Sequence, residues 1–211
     1  MVYRASTQRI DRDQELRERI LHCARARVSE GGFASLTMQA LAEDAGIATG
    51  SLYRHFRSKG EIAAEVFSSA CRVEVDVLRE ILQGPGTPAQ RLSAGLEQFA
   101  ARAWHSRRLA FALIAEPVDA EVDEQRLLFR EAYADLFIEL LEEGARLGAF
   151  RVSHISLVAA CLVGAIAEAL VGPLSPPARA AREAGTSAMD LATVSQSLIT
   201  FCLRAVGAPE S

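Results

Sequence analysis

Residues Thr37–Lys59, TMQALAEDAGIATGSLYRHFRSK, set the frame for the rest of the chain. They read as two short helices joined by a turn that contains a glycine. Leu41 and Ala42 mark the inner face of the first, predicted from Met38 to Ala45 and ended by Gly46 in a left-handed cap. The second begins near Thr49 and runs through Leu52, Tyr53 and Phe56, with Leu52 and Phe56 as core positions. A short turn of this kind fits a helix-turn-helix, whose second helix enters the major groove of DNA. The other side of that helix carries Thr49, Ser51, Tyr53, Arg54 and His55. These are hydroxyl donors, a cation and ring faces, the groups that meet phosphates and base edges.

The charge distribution agrees. Residues 1–60 hold ten Arg/Lys against seven Asp/Glu, and residues 61–211 hold thirteen against twenty, so the net −4 conceals a basic front on an acidic body. That suits a protein that touches phosphate at one end only. Val2-Tyr3-Arg4 leads into a polar segment without an apolar core, so no secretory leader is expected. The longest apolar run, Leu157 to Ala167, is interrupted by Glu168 and falls short of the roughly 20 residues of a bilayer span. Cys23, Cys71, Cys161 and Cys202 show no C-x-x-C spacing and read as reduced residues of a cytoplasmic protein.

At Thr37…Leu41-Ala42…Ala45-Gly46, then Ser51-Leu52-Tyr53-Arg54-His55-Phe56, then Ser58-Lys59, the chain resembles the tetracycline-repressor-like (TetR/AcrR) family of bacterial transcriptional regulators. The resemblance covers about the first quarter of the sequence. It implies that Tyr53, His55 and Lys59 contact backbone phosphate, with Thr37 capping its helix and offering hydroxyl and N–H to another. Base reading then falls to Gln39, Thr49, Gly50, Ser51 and Arg54. Arg54 has the donors for a guanine and Gln39 the donor–acceptor pair for an adenine, each good for about 1–3 kcal/mol of discrimination. Two positions depart from the family pattern: Ala48 stands where a capping residue is usual, and Thr49 where lysine is frequent.

The remaining chain reads as helices, giving an all-α expectation of about nine. A three-helix DNA-binding domain is assigned to residues 1–58, and a helical effector-binding and dimerisation domain to 59–211. The first helix is expected to start at Asp11. Ser58 with Glu61 opens the fourth helix, and Thr87-Pro88 with Gln90 opens the fifth. Gly84-Pro-Gly-Thr-Pro-Ala formally matches a dinucleotide fingerprint, but no strand precedes it and two prolines interrupt it. Glu121, Asp123 and Glu124 lie at a helix N-terminus, where the dipole favours acids without a metal. No cofactor and no metal are expected. The eighth helix, from about Ser153 to Val171, is apolar almost all round, which requires cover on every side. Pro173, Pro176 and Pro177 are read as opening a loop that carries Arg179 and Arg182. The last helix follows it. Ala160, Gly164, Glu168, Leu191, Val194, Leu198 and Phe201 are expected in a homodimer seam.

Family members enclose an effector among helices four to eight. Here Phe67, Trp104, Phe111, Phe129, Tyr133 and Phe137 suit an apolar or amphipathic small molecule, with Arg102 and His105 as orienting polar groups. The expected function is a ligand-responsive repressor on a palindromic double-stranded DNA operator, with no membrane partner. The alternative is a DNA-binding regulator or architectural protein without an effector. An enzyme is disfavoured, because the four histidines are scattered and no nucleophile–base motif or P-loop is present.

Overall fold

The computed structural model describes the backbone of residues 2–186 and 189–209, and the side chains of residues 10, 12–186 and 189–209. Within them the chain is all-α: α1 (Val2–Gly31), α2 (Met38–Ala45), α3 (Thr49–Leu52), α4 (Lys59–Leu82), α5 (Pro88–His105), α6 (Arg107–Ala115), α7 (Ala120–Arg146), α8 (Ile155–Leu174), α9 (Pro176–Glu183) and α10 (Leu191–Ala205), with a 3₁₀ turn at Phe33–Ser35. Two boundaries differ from the sequence reading. The first helix begins at Val2, so Asp11 lies inside it and is no cap. The segment read as a loop after Pro173 contains α9, because Ser175 caps it and the prolines occupy the first turn, where a missing N–H costs nothing.

Local chemistry explains most helix ends. Thr37 accepts the Ala40 N–H, and Gly46 closes α2 at φ 65°, with the Ile47 amide reaching the Ala42 carbonyl at 3.0 Å. At α4, Ser58 accepts the Glu61 N–H at 3.0 Å, while the Glu61 carboxylate accepts from Arg57 at 2.6 Å, one residue earlier than a reciprocal capping box would place it. Thr87 and Gln90 make the full box on α5.

The first four helices close around Ile20, Ala24, Val28, Leu41, Leu52, Phe56 and Ile62, and the same cluster contains Ala112 of α6 and Val122 of α7. A second cluster joins the far half of α4 to α5, α7, α8 and α10. The α4 and α5 helices run in opposite directions and α7 lies along α4, so three long helices bracket the middle of the molecule. α8 is long and apolar enough to cross a membrane by length and composition, with mean hydropathy 2.2. It turns Ala159, Leu162, Ile166 and Leu170 into the protein and leaves Leu157, Ala160, Cys161, Gly164 and Glu168 outside.

Arg91 is 8% exposed and ties three helices together. It donates to the Leu82 carbonyl at 2.8 Å, at the end of α4, and to Glu143 on α7 at 2.5 Å. The hydrogen bond from Arg91 holds the Glu143 carboxyl below its ordinary value. A carboxyl depressed in the native state stabilises it above the unfolded value, and that contribution disappears as the pH falls through the native value. In urea unfolding, Glu143→Gln should therefore be less stable than wild type at neutral pH, with the gap narrowing only below about pH 4.5, the group's ordinary value. A gap that stays constant into acid would show that Glu143 contributes nothing through its charge.

Candidate nucleic-acid interface and interior cavity

α2 and α3 build one surface. Thr37, Gln39, Thr49, Gly50, Tyr53 and Arg54 are exposed, and Ser51, His55 and Lys59 are half-buried. The helical part of the second segment is shorter than expected. α3 ends at Leu52, and residues 53–55 continue as a turn, with the His55 and Phe56 amides both on the Leu52 carbonyl at 2.9 Å. Tyr53, 57% exposed, therefore projects from a turn. Ala48 precedes α3 and gives it no side-chain cap, and Thr49 lies within the helix. Arg54 donates to the Ser51 hydroxyl at 2.9 Å, so these two predicted base readers are held together. Leu52 and Phe56 anchor the segment from below, with Arg17 stacked over the Phe56 ring at 4.8 Å.

Lys59 differs from the others. Its ammonium pairs with Asp119 at 2.9 Å, at the junction of α6 and α7. That junction grips the first four helices at three points. Glu116 accepts the Phe33 N–H at 2.8 Å, Asp119 takes Lys59, and Glu121 accepts from the Ser58 hydroxyl at 3.2 Å. A Cβ on Gly32, which sits at φ 72°, would collide with the Glu116 carboxylate. From the body side, Arg126 holds the junction by donating to the carbonyls of Ala112, Leu113 and Glu116 at 2.7 to 3.1 Å. None of these partners is near in sequence, which is why no motif announced them.

Between α4, α5, α6, α7 and α8 lies a cavity of about 660 Å³, a size that suits a small-molecule ligand. Six of the eight predicted ligand residues line it: Phe67, Arg102, His105, Phe129, Tyr133 and Phe137. Phe67 meets Phe129 edge-on at 6.0 Å, and Phe99 meets Tyr133 in the same way. Trp104 and Phe111 are not in the lining. Trp104 lies beneath two guanidinium groups, Arg182 at 4.8 Å and Arg107 at 5.8 Å, and both aromatic side chains pack against the cluster of Ala103, Ala110, Leu170, Leu174 and Val194. Cation–π stacking claims that indole. The sequence reading missed Glu74, Phe99, Arg126 and Arg130. Arg126 and Arg130 share the α7 stripe of Phe129, Tyr133 and Phe137, so helical spacing carried that signal.

Glu74 and Arg102 form a two-pronged pair within the cavity wall, both bonds 2.7 Å. The hydrogen bonds that Arg102 donates to Glu74 hold its guanidinium above its ordinary value. Burial pushes the Cys71 thiol up to about 12 and the Tyr133 phenol higher still. Both groups are neutral at physiological pH, and Tyr133 can donate a hydrogen bond without becoming an anion. No group of three or more potential metal ligands occurs among the described residues.

The predicted seam divides. Ala160, Gly164, Glu168 and Phe201 are exposed and Leu191 is half-buried. Val194 and Leu198 face inward, within the chain's own core against α5 and α8. A heptad-like stripe gives the buried face of a helix but not which body buries it.

Residues 20–66 match the model of bacterial regulatory proteins, tetR family. The HTH-type transcriptional repressor KstR of Mycolicibacterium smegmatis is 40% identical over 81 residues, 38% of this chain and 39% of that relative. The aligned part thus spans less than half of its length. The repressor KstR2 of Mycobacterium tuberculosis is 27% identical over 135 residues, 61% of this chain and 68% of the relative. Among solved structures, the regulator FadR of Bacillus subtilis in complex with stearoyl-CoA superposes with a TM-score of 0.72 at 18% identity, covering 90% of this chain and 98% of that one. The reduced form of E. coli NemR gives 0.69 at 18% identity, over 93% and 100%. At these identities the solved structures share the fold.

The Lys59–Asp119 pair generates a direct test. Asp119→Asn should strengthen binding to duplex DNA of any sequence, and the salt dependence should steepen by about one unit as one more phosphate contact is made without competition. Fluorescence anisotropy on a random-sequence duplex across a salt series measures both. An unchanged slope would place Lys59 off the phosphate backbone.

Proposed function

From a chain of the tetR family of bacterial regulatory proteins, we propose a dimeric transcriptional repressor that leaves a palindromic operator when a small amphipathic molecule fills the cavity. The observation that carries this reading is the coexistence of two sites in one packed unit. The α2–α3 face offers hydroxyls, a guanidinium and ring faces to DNA, and the cavity lies between the helices that hold that face in place. The curated relatives described above are transcriptional repressors, and FadR was solved with stearoyl-CoA. The size and largely apolar lining of the present cavity suit a ligand of comparable amphipathic character. The architectural alternative requires a filled interior, which this cavity disfavours. A repressor of this kind acts in the cytoplasm, where its operator DNA lies.

In this reading residues 1–58 form the DNA-binding unit and residues 59–211 bind effector and partner. Tyr53, His55 and Thr37 position the unit on phosphate, and Gln39, Thr49, Gly50, Ser51 and Arg54 read bases. Two copies join through the outer faces of α8 and α10, where Leu157 is 63% and Phe201 57% exposed. Glu168 sits at the edge of that face. Two-fold symmetry of the protein then matches two-fold symmetry of the operator.

Selection of bound fragments from a random DNA library should return a two-fold symmetric motif. Arg54→Ala should relax preference at one position of each half-site, whereas Tyr53→Ala should weaken all sequences alike. An asymmetric consensus, or an Arg54→Ala motif identical to wild type, would refute the assignments. A side chain added at Gly164 meets nothing within the chain, so Gly164→Glu is expected to keep the fold and split the dimer. Sedimentation showing an intact dimer would move the seam elsewhere.

A further inference from the structure

On the reading of the cavity as an effector site, we propose that its ligand is an anionic amphiphile bound in one direction, its head between Arg25 and Arg130 and its apolar chain toward Phe137 and Ile166.

The two ends of the cavity differ: one mixes charged and polar groups with Leu109, Leu113 and Phe129, and the other is apolar. α5 and α7 both run the length of it, and their ends nearest the DNA-binding face supply His105, Ser106, Arg126 and Arg130, joined by Arg25 and Ser29 from α1. The far end is Leu78, Leu96, Phe99, Phe137, Val163 and Ile166. From Arg126 to Phe137 the α7 wall is about 16 Å long at 1.5 Å per residue. That length favours an elongated ligand over a compact one.

The charge accounting within the wall leaves a surplus of one sign. Glu74 is the sole carboxylate among the lining residues, and Arg102 consumes it. Arg126 is satisfied by three carbonyls and by Asp123. Arg25 and Arg130 are exposed at the mouth, and neither has an ion pair or hydrogen bond to another described residue. Two free guanidinium groups beside an apolar chamber attract an anion that brings hydrocarbon with it. Tyr133, halfway along, is a neutral donor placed for a carbonyl or hydroxyl in the body of the ligand. A neutral ligand would leave the mouth arginines unused, and a cationic one would meet repulsion.

The direction has a regulatory meaning. Arg25 belongs to α1 of the DNA-binding unit and Arg130 to α7 of the body. A head group that takes both adds a link between the two that the empty protein lacks, and it can shift their relative placement only through that differential contact.

Two sources supply such a molecule: a free long-chain carboxylate, or an acyl thioester whose carrier bears phosphates. Calorimetric titration of the full-length protein with dodecanoate, lauroyl-CoA and dodecanol separates them. At least one anionic probe should bind about tenfold or more tightly than dodecanol, the worth of one charge-assisted hydrogen bond. Dodecanoate binding alone points to the carboxylate, and lauroyl-CoA binding alone to the phosphate-bearing carrier. Arg25→Gln with Arg130→Gln should erase the advantage, and the double lysine variant should keep part of it. Dodecanol binding as tightly as the better of the two anions, an advantage that survives the double glutamine variant, or no binding by any probe overturns the proposal. If dodecanol binds as tightly as the better anion and releases DNA, the effector reading stands and only the anionic head falls. If no probe binds and DNA selection also fails, both fall.

Discussion

One apolar core is shared between the first four helices and the part of the chain that encloses the cavity. Ala112 and Val122 come from α6 and α7, yet they are fully buried among side chains of α1, α2 and α4. Burial of this kind is non-directional and grows with area. By itself it would let the two parts slide. The carboxylates of Glu116, Asp119 and Glu121 fix the register, because each meets a particular donor on the other side. The junction is therefore apolar beneath and ionic at its rim. Packed cores shift between discrete arrangements rather than deforming smoothly, and Arg126 joins this junction to the cavity wall.

How much of this was legible in the sequence depended on how local the cause was. The caps at Thr37, Ser58 and Thr87 and the left-handed glycine at position 46 act over three or four residues, and each was found where the motif placed it. α9 was missed because proline was read as a breaker, although at the first turn of a helix it is tolerated. The amphipathic stripes of α4, α7 and α10 were visible, but a stripe does not name its cover. Val194 and Leu198 turned inward to the chain's own helices. Trp104 went to two arginines, one of them 78 residues away in sequence, and such contacts leave no periodic trace.

The cavity shows the same division. Four of its six correctly predicted residues are aromatic side chains on facing helices, which tend to meet around a common centre. Its electrostatics were invisible, since they depend on which arginine finds a carboxylate. Arg102 finds Glu74, while Arg25 and Arg130 find none among the described residues. The same residue type is thus structural at one position of the wall and available at another, and only the placement of the acids distinguishes them.

Of the chain's 23 basic residues, Lys59 is the sole lysine. Arginine keeps its charge at any physiological pH, but the charge of a lysine is removed when its amine is acylated. The other Lys/Arg charges all belong to arginines and are permanent. The one that acylation can erase stands at the start of α4, with Asp119 on one side and the α2–α3 surface on the other. Reagents selective for side-chain amines therefore address this hinge alone, and a single isotopically labelled ammonium signal would report which anion holds it.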